Sequence, residues 1–167
     1  MEDKVTQADL AAGYSLAAWL PGAFVSGSAI LDLDTAKDVD VVVPASSWSP
    51  SAAFLQSYGL ESYEPLEDAA YAADVTANEI VALYRGRNKI NVIVVSDLYY
   101  PAYKAGELEY LRNPQLYVNS KPVREALHKD MKAEIRSMLD GSWQEKHRTP
   151  VAVTGPHGMP VFWGFGA

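Results

Sequence analysis

Asp38 and Asp40, in the run Asp38-Val39-Asp40-Val41-Val42-Val43, are the residues whose types and spacing best suit chemistry. Side chains on a strand repeat every two residues, so this run would set both carboxylates on one face and Val39 and Val41 on the other. Two carboxylates side by side repel each other unless a cation sits between them. Oxygen ligands of this kind suit Mg²⁺, or Mn²⁺ in its place, which is commonly held by one or two carboxylates together with substrate phosphates. Upstream, Val25-Ser26-Gly27-Ser28 reads as a corner, separated from Asp38 by nine residues. Glycine lets the backbone approach a ligand closely, and successive amides at such a turn can cradle a phosphate. The earlier pair, Asp32 and Asp34, is followed by Thr-Ala-Lys in place of apolar residues and reads as a solvated loop or short helix.

The elements that must position these residues can be read from pattern. Residues 6–20 read as a helix rich in Ala and Leu, stopped by Pro21-Gly22. Ala23 to Val25 forms a short strand into the corner, residues 29–36 a helical turn, and Asp38 to Val43 a strand that ends at Pro44. Ser49 could cap a helix with Pro50 at its first position, running to Tyr58 and ended by Gly59. A short helix is expected over 67–73. The clearest hairpin is 79–84 with 89–95, joined by Arg85-Gly86-Arg87-Asn88. Residues 101–112 read as a helix that stops near Asn113-Pro114. The longest helix spans about 120–139, with Val123, Leu127, Met131, Ile135 and Met138 as its apolar stripe and Asp140-Gly141 as its stop.

Composition narrows the function classes. The chain has 167 residues, 49% of them hydrophobic, which is enough for one domain with a real core. It has no cysteine, hence no disulfide framework and no thiol nucleophile. The lack of cysteine and the acidic, polar start fit a cytoplasmic protein, and no apolar run is long enough for a membrane span. A net charge of −7 does not suggest a general nucleic-acid binder. The charge is unevenly spread: residues 1–84 hold thirteen acids and two lysines, and residues 85–167 twelve basic residues and eight acids. The two halves could attract each other across the fold, or the first could hold metal while the second grips phosphate.

A hydrophobic residue, Gly-[Gly/Ser], nine to thirteen residues, then Asp-h-[Asp/Glu]-h is the signature of the polymerase-beta-type nucleotidyltransferase superfamily. Gly27-Ser28, nine residues and Asp38-Val39-Asp40-Val41 resemble that signature at its shortest spacing. The segment from Asn113-Pro114 to Lys121-Pro122-Val123-Arg124 also looks like one found in small phage-encoded nucleotidyltransferase-like proteins. The resemblance implies an α/β (α+β) fold: a mixed-sheet nucleotidyltransferase-like core over residues 1–141, flanking helices and a long C-terminal helix. It implies Mg²⁺-dependent transfer of a nucleotide from a nucleoside triphosphate to a hydroxyl acceptor on an RNA end, a protein or a small molecule. Asp38 and Asp40 would hold the metal, and Gly27 and Ser28 the β- and γ-phosphates.

The resemblance also exposes a departure. The family carries a third acidic residue on a later strand, and strand 90–95 offers Asn91 there. Asparagine brings no negative charge and cannot act as a general base. Asn91 is therefore either the third site residue or a strand residue bonded to a neighbouring loop. Lys121 and Arg124 would neutralise a triphosphate, or else form a basic face on an exposed helix. Tyr99, Tyr100, Tyr103, Tyr110 and Tyr117 could offer a ring to a base, or serve as core and rim. A second function follows from Asn91: a degenerate member that binds nucleotide or inhibits a host protein without turnover. The apolar tail, 142–167, with Phe162, Trp163 and Phe165, would pack on the domain, on a second copy or on a host protein.

Overall fold

The computed structural model describes residues 4–66, 68–118 and 120–139. By its contacts the chain divides into one unit over residues 1–132 and a second over 133–167, and the description below concerns the first. The tail and the Asp140-Gly141 stop lie outside the described residues.

Five strands form one mixed sheet in the order β1-β2-β5-β4-β3. They are β1 Phe24–Ser26, β2 Val39–Pro44, β3 Glu61–Ser62, β4 Ile80–Arg85 and β5 Ile90–Val95. β2 and β5 run parallel at the centre, and β1 and β4 flank them antiparallel. Seven α-helices occur among the described residues: α1 Gln7–Ala18, α2 Ser28–Leu31, α3 Ala52–Tyr58, α4 Ala69–Thr76, α5 Tyr100–Arg112, α6 Pro114–Tyr117 and α7 Lys121–Leu139. None of the described helices is long and apolar enough to cross a membrane. The fold is thus α+β with a mixed sheet, flanking helices and a long last helix, as expected from the sequence.

The valine-rich strands explain the layering. Val39, Val41 and Val43 of β2 and Ile90, Val92 and Val94 of β5 all project to one face. There they meet Leu16 and Ala17 of α1 and form the main core. Trp48, Phe54 and Tyr58 pack against that core from one side. The alternate residues face the other way, where Asp40 and Asn91 stand among Phe24, Val42 and Ile93. Tyr100 of α5 packs its ring against Phe24 on this face, with centroids 6.0 Å apart.

Local chemistry sets the boundaries. Thr6 starts α1 with a capping box: its hydroxyl accepts from the Asp9 amide at 3.1 Å, and Asp9 accepts from the Thr6 amide at 2.9 Å. Asp9 also accepts from Asn88 at 3.1 Å, which ties α1 to the β4–β5 turn. α3 is capped by Ser51, not by Ser49: the Ser51 hydroxyl accepts from the Phe54 amide at 3.1 Å, and Pro50 lies just outside the helix. Gly59 ends α3 in the left-handed region, as expected from its place after Tyr58. The two-residue strand β3 and the single turn α6 were not expected, being too short to leave a periodic signal. Val123, read as part of an apolar stripe on α7, is 44% exposed.

Within the first unit α7 is moored by charge. Lys132 Nζ lies 2.6 Å from Asp74 Oδ2 of α4 and 3.5 Å from Glu79 Oε2 beside β4. Glu79 is fully buried, so this lysine offsets a charge that water cannot reach.

Candidate active site

Strand register assembles the site. Ser26 pairs with Asp40, Asp40 with Asn91, and Asn91 with Arg85, so one row of four side chains crosses β1, β2, β5 and β4 on the same face. Asp38 stands in the bend just before β2 rather than on the strand, and its carboxyl meets that of Asp40. Asp40 is half-buried and Asp38 exposed.

Asp40 is the centre of the row. Its Oδ1 accepts a hydrogen bond from Asn91 Nδ2 at 3.1 Å. Its Oδ2 lies against Gly27: a Cβ on that glycine would come within 2.8 Å of it. Gly27 has φ +79°, a conformation that L side chains rarely adopt, and the single turn α2 follows it directly. Asp40 therefore faces the Gly27-Ser28 turn. Neither Asp38 nor Asp40 enters an ion pair with any described residue.

The electrostatics follow from burial and from the neighbour. Desolvation and then the Asp38 charge push Asp40 up to about 8, against a lowering by the Asn91 amide. Desolvation also raises Asp38, while Arg85 and Lys121 pull it down. Asp38 is exposed to solvent at its surface yet stands over packed protein, which is why desolvation still acts on it. Two touching carboxyls that resist losing both protons are a fitting cradle for one divalent cation, which would take the proton's place.

Asn91 is buried and bonded at both ends. It donates to Asp40, and its Oδ1 accepts from the Tyr63 hydroxyl at 2.6 Å. Asn91 thus sits beside Asp40 and is also tied to the segment after β3. The Tyr63 ring carries the Arg85 guanidinium over its face, 4.0 Å from the centroid. Tyr71, on α4 three residues after the Asp68 cap, has its hydroxyl raised well above its ordinary value by burial and then by the Asp40 and Asp38 charges. Ser26 donates to Glu107 Oε2 of α5 at 2.7 Å. Desolvation pushes Glu107 up to about 7, against lowering by Ser26 and Lys104. Glu107 also lines an open cleft of about 370 Å³ between α1 and α5, walled by Tyr14, Phe24, Ile30 and Leu111.

The expected basic residues divide. Lys121 lies near enough to lower Asp38, and it also pairs with Glu125 at 3.8 Å. Arg124 is employed elsewhere: its Nη1 donates to the Tyr117 carbonyl at 2.8 Å and pins the α6–α7 corner. Of the five tyrosines singled out in the sequence, Tyr99, Tyr103, Tyr110 and Tyr117 are buried packing residues, and Tyr100 donates to the Gly22 carbonyl. Tyr63, Tyr71, Arg85 and Glu107 were missed. A signal existed for Glu107 alone: it is an acid on the stripe of Tyr103, Gly106 and Tyr110 that faces inward from α5.

No family model, no curated protein and no solved structure matches the chain.

Proposed function

We propose that the chain is a Mg²⁺-dependent nucleotidyltransferase of the polymerase-beta type, using Mg²⁺ or Mn²⁺ to transfer a nucleotide from a nucleoside triphosphate to a hydroxyl acceptor. The observation that carries this reading is the touching pair Asp38 and Asp40, set against a glycine turn with positive φ that leads straight into a helix. The sheet adds support, since the acid-bearing strand is central, lies between the turn-bearing strand and a parallel neighbour, and places Asn91 abreast of Asp40.

Asp38 and Asp40 would hold the cation, which when bound offsets the charge of the phosphates and of the oxygens exchanged at the α-phosphorus. In this reading the Gly27-Ser28 turn would bind the β- and γ-phosphates; the glycine makes room for the Asp40 carboxylate beside it, and its own amide also reaches the Glu107 carboxyl. Lys121 adds positive charge on the Asp38 side. Asn91 positions Asp40 by its 3.1 Å bond and cannot take the acceptor's proton.

That last point favours a second reading: a degenerate protein of the same fold that binds nucleotide, or inhibits a host protein, with little or no turnover. Asn91 is a neutral amide held between Asp40 and Tyr63, so no base stands at that place. General-base help is typically worth about 10²–10⁴-fold. The test incubates α-labelled triphosphates and Mg²⁺ with total RNA and lysate, comparing wild type with Asp40→Asn. Labelling that is lost in the variant establishes the transferase. Metal-dependent nucleotide binding without labelling establishes the nucleotide binder, and no nucleotide binding at all removes both nucleotide readings and leaves the inhibitor of a host protein.

A further inference from the structure

We propose that this site holds one divalent cation, and that the Arg85 guanidinium stands in for a second cation and binds the triphosphate directly. The inference rests on the nucleotide reading above and deepens it.

Ligand supply limits the number of ions. Asp38 and Asp40 furnish two carboxylates, and Asp40 Oδ1 is already turned to the Asn91 amide. Asn91 Oδ1 is engaged by the Tyr63 hydroxyl at 2.6 Å, so this side chain would have to give up a short bond to ligate anything. Among the described residues, no group of three or more His, Cys, Asp or Glu is placed to hold a metal. Two carboxylates balance one divalent ion; the next nearest, Asp68 and Glu107, are already bonded to the Tyr71 amide at 3.1 Å and to the Ser26 hydroxyl at 2.7 Å, so a second ion would have to compete for them.

Charge is provided in another form. Arg85 pairs with Asn91 across β4 and β5, and so continues the row one strand beyond Asn91. Its guanidinium is held over the Tyr63 ring at 4.0 Å, and that ring is itself fixed by its bond to Asn91. Arg85 is exposed and enters no ion pair with any described carboxylate. A triphosphate carries more negative charge than one divalent ion offsets. A planar guanidinium matches two phosphate oxygens at once, and it is already oriented by the stack. Tyr63 and Asn91 thus act together: they close the place of a second ion and aim an arginine toward it.

The test counts metal and measures affinity, independent of turnover. The full chain is equilibrated with Mn²⁺ and a non-hydrolysable triphosphate, and protein-bound Mn²⁺ is counted by electron paramagnetic resonance. One ion per bound nucleotide is expected in wild type, and two overturn the inference while leaving the nucleotide reading intact. Arg85→Ala should weaken binding of the triphosphate about ten- to hundredfold with the count still one. Unchanged affinity overturns the role of Arg85. Asn91→Asp should raise the count to two. If wild type retains no nucleotide with Mn²⁺, the nucleotide reading falls and this inference with it.

Discussion

Ser26 Oγ donates to Glu107 Oε2 at 2.7 Å, joining the strand that leads into the glycine turn to the middle of α5. The Gly27 amide also reaches this carboxyl, whose other oxygen, Oε1, is buried. Burial holds this carboxyl near neutrality, at about 7 against an ordinary 4.5. A folded-state value above the unfolded one means that stability is fully present below about 4.5 and is lost as pH rises to about 7. Glu107→Gln keeps an acceptor for Ser26 and removes the buried charge. Its melting temperature should exceed that of wild type at pH about 7, and the gap should close toward pH about 4. A gap independent of pH would show that Glu107 does not titrate in this range.

His128 tilts stability the other way. It lies edge-on to Tyr110 with ring centroids 5.4 Å apart, and its Nδ1 is buried without a partner. Desolvation, then the Lys132 charge, lowers it to about 4 from 6.5. The folded protein therefore loses stability as pH falls from about 6.5 to about 4. His128→Phe preserves the ring packing and should flatten this acid limb in melts recorded across that range. An unaltered slope would assign the acid sensitivity to other groups.

Gly27→Ala tests the turn. The added Cβ would stand 2.8 Å from Asp40 Oδ2, and alanine disfavours the +79° φ. We expect the circular dichroism spectrum to be retained, with metal-dependent triphosphate affinity at least about tenfold weaker, since the carboxylate must move by a few tenths of an ångström or more. Wild-type affinity in the variant would show that the turn is not part of the site.

Asp40→Asn separates stability from function. The native carboxyl is raised to about 8 from 3.8, so it costs the folded state stability increasingly as pH climbs through that interval. The amide removes this cost. The variant should melt several degrees higher than wild type near pH 8 and about equally near pH 4, while metal-dependent nucleotide binding disappears. A variant that melts lower than wild type throughout would mean that Asp40 serves the fold rather than a ligand.

How much of this was legible in the sequence depends on range. Gly27, Asp38 and Asp40 lie within one short stretch, and the alternation of β2 is a local pattern, so the acid pair and its glycine turn could be read directly. The β4–β5 hairpin followed from the same kind of pattern. Arg85 could not be read: its nearness to Asn91 is a matter of hairpin register, and the sequence alone made it a turn residue. Tyr63 and Tyr71 lie in the stretch 60–75, where β3 is two residues long and α4 is fixed by the Asp68 cap more than by any apolar period. Clustering in sequence drew attention to the tyrosines of α5 and α6 instead, and a helix that must bury a stripe uses those rings for packing. The bond that Arg124 makes was equally hidden: sharing a helix face with Lys121 does not fix where a long side chain ends, and the Tyr117 carbonyl lay within its reach.

The mooring of Lys132 to Asp74 and Glu79 gives α7 a fulcrum. Lys121 lies eleven residues earlier on the same helix, roughly 16 Å along its axis. Arg124 holds the helix a second time, at the Tyr117 carbonyl, so α7 is fixed at both ends of that span and Lys121 stands just beyond the second hold. The direction of the helix, and with it the reach of the basic group toward Asp38, is therefore set in part by a buried ion pair remote from the acid pair. Loosening the fulcrum, as in Lys132→Met, should leave every group around Asp40 in place and yet blur the position of Lys121, the one cation delivered to the site from the far end of a helix.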